Sequence, residues 1–281
     1  MATSTITEHR AAFRGLHEAG CFVIPNPWDA GSARYLRHLG FQALATTSSG
    51  FAFSRALPDG GIVPLDVVLG HIAEIASVAD LPVNADFESG YAPDPEGVAA
   101  NVRRCIEAGA SGLSIEDRIG TQATPLYEMG AAVERIKAAR AAIDASGAQV
   151  LLTARAECYL VGHPEPLKES IRRLQAYAEH GADVLYAPGP RTRDEIRAIV
   201  AAVSPKPVNV LMGANTGMRL SDLAELGVRR VSVGSSLARA AWTGFIRAAK
   251  AIADQGSFEG FDNLVPGADL NAFFRDDVKK R

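Results

Sequence analysis

Leu81 to Ala92 reads LPVNADFESGYA. The stretch opens as a strand, with apolar Leu81, Pro82 and Val83 and then small Ala85, before setting Asp86 and Glu88 two residues apart. On a pleated strand that spacing turns both carboxylates to one face. Ser89-Gly90 ends the strand and Tyr91 enters a turn. Asp94-Pro95-Glu96 then opens a helix, with Asp94 as N-cap and Pro95 at the first helical position. The unit is a strand, a loop and a capped helix, with two acids at the strand's C-terminal end. Two carboxylates this close repel unless a cation offsets them. A hard divalent ion does so through one or two carboxylates, waters and a substrate oxygen. The plainer alternative leaves Glu88 in solvent and Asp86 capping the loop.

The same unit recurs along the chain. Short apolar runs at 21–26, 41–47, 112–117, 149–157, 183–187, 207–212 and 229–234 join 81–88 as eight expected strands. Helical patterns follow them in turn at 29–39, 64–79, 95–108, a long helix ending near Gly147, 165–180, 193–203, 220–226 and 237–253. Continuous apolar runs suit strands covered on both faces. Alternating β and α elements imply a parallel sheet. Eight such units in one domain of this size imply an α/β fold of the closed (β/α)8, or TIM-barrel, type. Residues 1–281 are expected to form that single domain, with a lead-in helix at 5–19 and a C-terminal helical extension. A doubly wound sheet is the second choice, but no GxGxxG follows the first strand.

Composition narrows the function. Hydrophobic residues make up 47% of 281, enough for a sizeable core. A net charge of −3 implies no basic face, so no nucleic-acid partner is expected. Cys21, Cys105 and Cys158 are odd in number and far apart, which suits a reduced compartment and gives no zinc-site spacing. The opening MATSTITEHR has no apolar signal core, and no run approaches the length of a membrane span. A cytoplasmic protein with no membrane partner is expected.

In a (β/α)8 barrel the catalytic groups gather at the C-terminal strand ends. Those ends carry Asn26 and Asp29; Thr47, Ser48, Ser49 and Gly50; Asp86 and Glu88; Glu116 and Asp117; Arg155 and Glu157; Tyr186; Asn209 and Met212; and Gly234, Ser235 and Ser236. Four acids from strands 3 and 4 are expected to converge beside Arg155. Asp86, Glu88 and Glu116 are the candidate metal residues, directly or through waters, for Mg²⁺ or for Mn²⁺ in its place. Arg155 suits a bidentate substrate carboxylate. The Ser48-Ser49-Gly50 turn offers hydroxyls and N–H groups to a second carboxylate. No expected strand ends in Lys, which leaves a Schiff-base mechanism without its nucleophile. No histidine lies at an expected strand end; His163, in the loop after strand 5, is the one placed near the site, and as an isolated loop His it reads more simply as a surface residue.

These residues resemble the isocitrate lyase / phosphoenolpyruvate mutase superfamily. The carriers are PNPWDAGSAR (25–34), TTSSGF (46–51), ADFESGYA (85–92), GLSIEDR (112–118), LLTARAE (151–157), PVNVLM (207–212) and VRRVSVGSSLARAA (228–241), together spanning nearly the whole chain. The resemblance implies a (β/α)8 barrel, often with the last helix exchanged between the subunits of a homodimer or homotetramer. It implies Mg²⁺, a small 2-oxo or 2-hydroxy acid as substrate, and cleavage of a C–C or P–C bond through an enolpyruvate-like species. By position it makes Asp86 the central metal carboxylate, and Glu88 and Glu116 acids on metal-bound water. Ser49 and Gly50 become the carboxylate clamp, Arg155 the arginine at the reacting end, and Asp59 a polar residue after strand 2. Arg155, Glu116 and Asp59 are then the catalytic candidates. Ser48, Ser49, Gly50, Arg155 and Asn209 are the substrate-binding ones.

The departures set this chain apart from the lyases. They carry Lys-Lys/Arg-Cys-Gly-His in the loop after strand 4, whereas residues 118–130 here read RIGTQATPLYEMG, without Cys or His. The phosphonopyruvate-acting members carry Lys and Asn in that loop, where Gln122 and Thr124 stand here. The mutase histidine after strand 6 is also absent from YAPGP (186–190). What remains suits decarboxylation or retro-aldol-type cleavage of an oxaloacetate-like acid, since CO₂ loss needs an electron sink and no general base. Three alternatives stay open: P–C bond chemistry, a phosphate-binding barrel isomerase using Gly213 and Gly234-Ser235-Ser236, and a non-catalytic binding scaffold.

Overall fold

The computed structural model describes residues 5–119 and 125–279. Gln122 and Thr124 lie outside the described residues. Eight parallel strands run around the sheet in the order β1 (Phe22–Ile24), β8 (Arg230–Ser232), β7 (Val208–Leu211), β6 (Val184–Tyr186), β5 (Leu151–Arg155), β4 (Gly112–Glu116), β3 (Val83–Asp86) and β2 (Leu44–Ala45). The barrel closes almost completely. Between β1 and β2 the ladder gives way to two links: Ala45 N–H donates to Pro25 O at 3.0 Å, and the Asn26 side chain donates to Thr46 O at 2.8 Å. Asn26 Oδ1 also accepts from the Val233 and Gly234 amides, so one side chain fastens β1 to strands on both sides.

Eleven α-helices occur among the described residues: α1 (Ile6–Leu16), α2 (Ala30–His38), α3 (Ser48–Ser54), α4 (Leu65–Ala79), α5 (Pro95–Glu107), α6 (Met129–Ser146), α7 (Pro166–Glu179), α8 (Arg193–Val203), α9 (Leu220–Glu225), α10 (Ser236–Gln255) and α11 (Gly267–Lys279). The expected punctuation operates. Asp94 caps α5 by accepting from Gly97 N–H at 2.7 Å, and Gly147 ends α6 in the left-handed conformation at φ 66°. One expectation changes: Ser48-Ser49-Gly50 is the first turn of a helix rather than a free turn. Thr47 caps it by accepting from the Gly50 amide. A Cβ on Gly50 would stand 2.7 Å from Thr47 Cγ2 and 3.2 Å from Ala238 Cβ, so this close approach needs a glycine.

α1 seals the N-terminal end of the barrel, where fully buried Phe13 packs among Ile24, Ala43, Ala45 and Leu151. Above it the barrel axis is polar. Arg230 donates to Asn209 Oδ1 and to Thr153 Oγ1, both at 2.9 Å, and burial pushes its guanidinium down to about 10. The apolar core lies outside the strands, between them and the helical ring. No helix of the described residues is long and apolar enough to cross a membrane.

The last two helices differ. α11 folds back on α2, with Asp277 paired to Arg34 and Phe273 against Tyr35 and His38. α10 buries only Ala238 and leaves Trp242, Phe245 and Ile246 exposed.

Candidate active site at the C-terminal mouth of the barrel

Asp86 is the last residue of β3, and the β2 end holds it from one side. Its amide donates to Thr46 Oγ1 at 2.9 Å, while the amide and hydroxyl of Ser48 both donate to its Oδ2 at 2.9 Å. These donors fix the orientation of the carboxylate. With Ser48 turned to Asp86 and the Gly50 amide capped by Thr47, Ser49 is left with the free amide of that turn among the described residues.

Strand pleating does not account for Glu88, because β3 stops at Asp86 and Glu88 takes a left-handed φ of 43°. Its carbonyl still accepts from Glu116 N–H at 2.8 Å, which sets the two acids side by side. Tyr91, also left-handed at φ 53°, donates its hydroxyl to Glu88 Oε1 at 2.9 Å. Burial pushes the Glu88 carboxyl up to about 7, and the Asp86 charge adds to it.

Arg155 stands at the centre. β4 and β5 pair Glu116 with Arg155, and β5 and β6 pair Arg155 with Tyr186, so these side chains share one level of the mouth. Arg155 Nη1 lies 3.3 Å from Asp86 Oδ1 and 3.3 Å from Glu116 Oε2, Nε donates to fully buried Glu157, and the guanidinium lies 5.3 Å from the Tyr186 ring centroid. Burial raises the Glu116 and Glu157 carboxyls, with Arg155 opposing, and pushes the Tyr186 phenol up to about 12. Asp59 is solvent-exposed yet crowded. The protein around its carboxyl strips water from it and raises its pKa, Asp86 adds to this, and Arg155 and Arg118 oppose it.

Other expected residues point elsewhere. Asp117 does not join the acids of the mouth. It is buried and accepts from Glu157 N–H at 2.9 Å, Arg173 Nη1 at 3.0 Å and Tyr177 OH at 2.7 Å, so it anchors β4 to β5 and α7. Asn209 is engaged inside the barrel, donating to Ser232 Oγ and accepting from Arg230, beneath Asp86 and Arg155 in a cavity of about 50 Å³. Asp29 caps α2. Ser236 Oγ donates to Gly213 O and the Gly234 amide donates to Asn26, so both groups of the candidate phosphate cradle are already engaged. His163 Nδ1 accepts from Glu165 N–H within its own loop. Thr46 and Arg118 were not singled out from the sequence. The Thr46-Thr47-Ser48-Ser49 run carries the signal for the first, and the position directly after Glu116-Asp117 that for the second.

Among the described residues, no three His, Cys, Asp or Glu side chains gather closely enough to cage an ion alone. The donor set nevertheless fits a hard ion held largely through water. Asp59, Asp86, Glu88, Glu116 and Glu157 crowd against Arg155 and Arg118, and burial, with the Asp86 charge adding to it, raises the Glu88 carboxyl. Mg²⁺ takes one or two carboxylates and keeps several waters.

A family model described as phosphoenolpyruvate phosphomutase matches residues 13–253. A Burkholderia cenocepacia J2315 protein described as a lyase/mutase has a structure matching at a TM-score of 0.91 and 50% sequence identity, over 96% of each chain. The oxaloacetate decarboxylase of Pseudomonas entomophila is 32% identical over 238 residues, 80% of this chain and 78% of its own. Phosphonopyruvate hydrolase, solved with oxalate and Mg²⁺, matches at a TM-score of 0.84 and 26% identity over 97% of this chain and 96% of its own. With the barrel and the acid-rich mouth, these matches place the chain in the phosphoenolpyruvate phosphomutase family, within the phosphoenolpyruvate mutase/isocitrate lyase superfamily of C–C and P–C lyases and mutases.

Proposed function

We propose that the protein cleaves a C–C bond of a small oxaloacetate-like 2-oxo acid, by decarboxylation or retro-aldol-type cleavage, with Mg²⁺ or Mn²⁺ as cofactor. The observation that carries this reading is Arg155, poised between Asp86 and Glu116 at the barrel mouth, in a chain whose segment 118–130 carries no Cys or His. Asp86 would hold the ion, with Glu88 and Glu116 on its waters, and the ion would supply an electrophile for the 2-oxo oxygen. Ser48 keeps Asp86 aimed. The Ser49 amide and hydroxyl, next to Gly50, receive the first carboxylate of the substrate. Arg155 brings positive charge to the reacting end, where negative charge develops, and Glu157 fixes the plane of its guanidinium. Tyr91 holds Glu88 in place.

The likeness to oxaloacetate decarboxylase supports C–C cleavage, and that to phosphonopyruvate hydrolase supports P–C cleavage as the second reading. Pyruvate release from oxaloacetate and phosphate release from phosphonopyruvate, each with Mg²⁺, separate the two. Free metal decarboxylates oxaloacetate unaided, so the excess of wild type over Asp86→Ala is the quantity that counts. A metal-dependent excess with oxaloacetate supports the first reading. Phosphate release alone replaces it with the second.

The same reading makes the protein a homodimer or homotetramer. α10 presents Trp242, Phe245 and Ile246 to solvent, and a groove of about 520 Å³ opens where Trp242 and Ile246 face Phe53 and Leu57. Apolar surface of this kind is usually covered in an assembly. The free cysteines Cys21, Cys105 and Cys158 suit a reducing cytoplasm.

A further inference from the structure

Arg118 is the first residue beyond Asp117, and the backbone around it is fixed. Tyr127 N–H donates to Asp117 O at 2.8 Å, Ile119 N–H donates to Pro125 O at 2.9 Å, and Arg118 bridges to Leu126 in antiparallel fashion. Asp117 is itself anchored by Arg173 and Tyr177. From this rigid base Arg118 lines a cavity of about 170 Å³ that it shares with Gly60, Gly61, Glu88, Tyr91 and Glu116. Arg155 is paired with Asp86, Glu116 and Glu157, whereas no described carboxylate lies within ion-pair distance of Arg118. The mouth therefore holds two guanidiniums with different roles: one inside the acid cluster, and one beside it, half-buried, pinned and unpaired among the described residues.

A guanidinium with a fixed base and no carboxylate partner among the described residues suits a planar anion that it can grip with two N–H groups. We infer that Arg118 is a specificity-determining residue that binds a second carboxylate of the substrate, at the end remote from the one received by Ser49. The inference rests on the reading given under Proposed function and deepens it, because it names the residue that would select an oxaloacetate-like acid by its second carboxylate. Gly60 and Gly61 leave room for that second arm, since neither carries a side chain into the cavity.

Calorimetric titration in the presence of Mg²⁺ tests this without turnover. Oxalate mimics the metal-binding end alone, and 3,3-difluorooxaloacetate adds the second carboxylate. Arg118→Met is expected to weaken 3,3-difluorooxaloacetate by about tenfold or more while changing oxalate less than twofold, because only the former loses a charge-assisted hydrogen bond. Arg118→Lys is expected to fall between the two. Equal weakening of both ligands would show that Arg118 only offsets the acid cluster, and unchanged binding of both would show no contact; either result overturns the inference. Failure of oxalate to bind the wild type would overturn the metal-site reading, and this inference with it.

Discussion

Ser48 turns both its backbone N–H and its hydroxyl onto one oxygen of Asp86, each at 2.9 Å. A residue three positions beyond a two-residue strand thus sets the orientation of the carboxylate at the centre of the site. Ser48→Ala keeps the amide contact and removes the hydroxyl. One hydrogen bond to a charged group contributes ~1.5–3 kcal/mol, so kcat/KM should fall about 10- to 100-fold. Ser48→Thr should keep most of the rate. Steady-state kinetics of both variants, with thermal unfolding to verify folding, checks this.

Asp117 is predicted to act on stability and not on the oxalate-binding end of the site. Tyr177→Phe removes one of its three donors in a buried setting and should destabilise the fold by ~1–2 kcal/mol. Mg²⁺-dependent oxalate affinity should stay within about twofold. Urea unfolding and calorimetry on the same sample read both quantities.

Buried His71 and half-buried His17 should make the fold acid-sensitive. His71 stacks on Phe51 with ring centroids 3.8 Å apart, and its Nε2 has no partner among the described residues. Burial pushes its imidazole down to about 4, with Asp29 opposing. Burial, with Arg230 beside it, takes His17 down to about 3. The unfolded chain binds these protons below about pH 6.5 and the folded chain does not. Their contribution is therefore complete above that pH and is lost as pH falls from 6.5 toward 4 for His71 and toward 3 for His17. The slope is about 1.4 kcal/mol per pH unit for each histidine. His71→Phe should recover ~2 kcal/mol of the loss at pH 5, measured by denaturant unfolding at pH 7.5 and 5.

The exposed face of α10 should govern assembly. Phe245, 61% exposed and edge-to-face with Trp242, is the residue to charge. Phe245→Asp should shift a dimer or tetramer toward smaller species in light scattering. A monomeric wild type would contradict the proposed assembly.

Much of this architecture is legible in the residues. Alternating apolar runs and capped helices specify the barrel, and Asp94, Pro95 and Gly147 act as their chemistry dictates. The strand-end rule also brings Asp86, Glu116 and Arg155 together. Pleat arithmetic is less informative at strand ends. Glu88 reaches the site through a left-handed turn, and Asp117, one residue past Glu116, faces Arg173 instead of the mouth. Asn209 is drawn inward by Arg230, a buried cation that no local pattern announces. Side-chain hydrogen bonds between distant segments decide these cases, and sequence spacing does not encode them.

Thermal unfolding with oxalate, with and without Mg²⁺, tests the Asp86-centred site most directly. Oxalate is predicted to raise the Tm of the wild type only when Mg²⁺ is present, and Asp86→Ala, still folded, is predicted to show no such rise. Protection by oxalate without metal, or full protection retained in Asp86→Ala, would contradict the account.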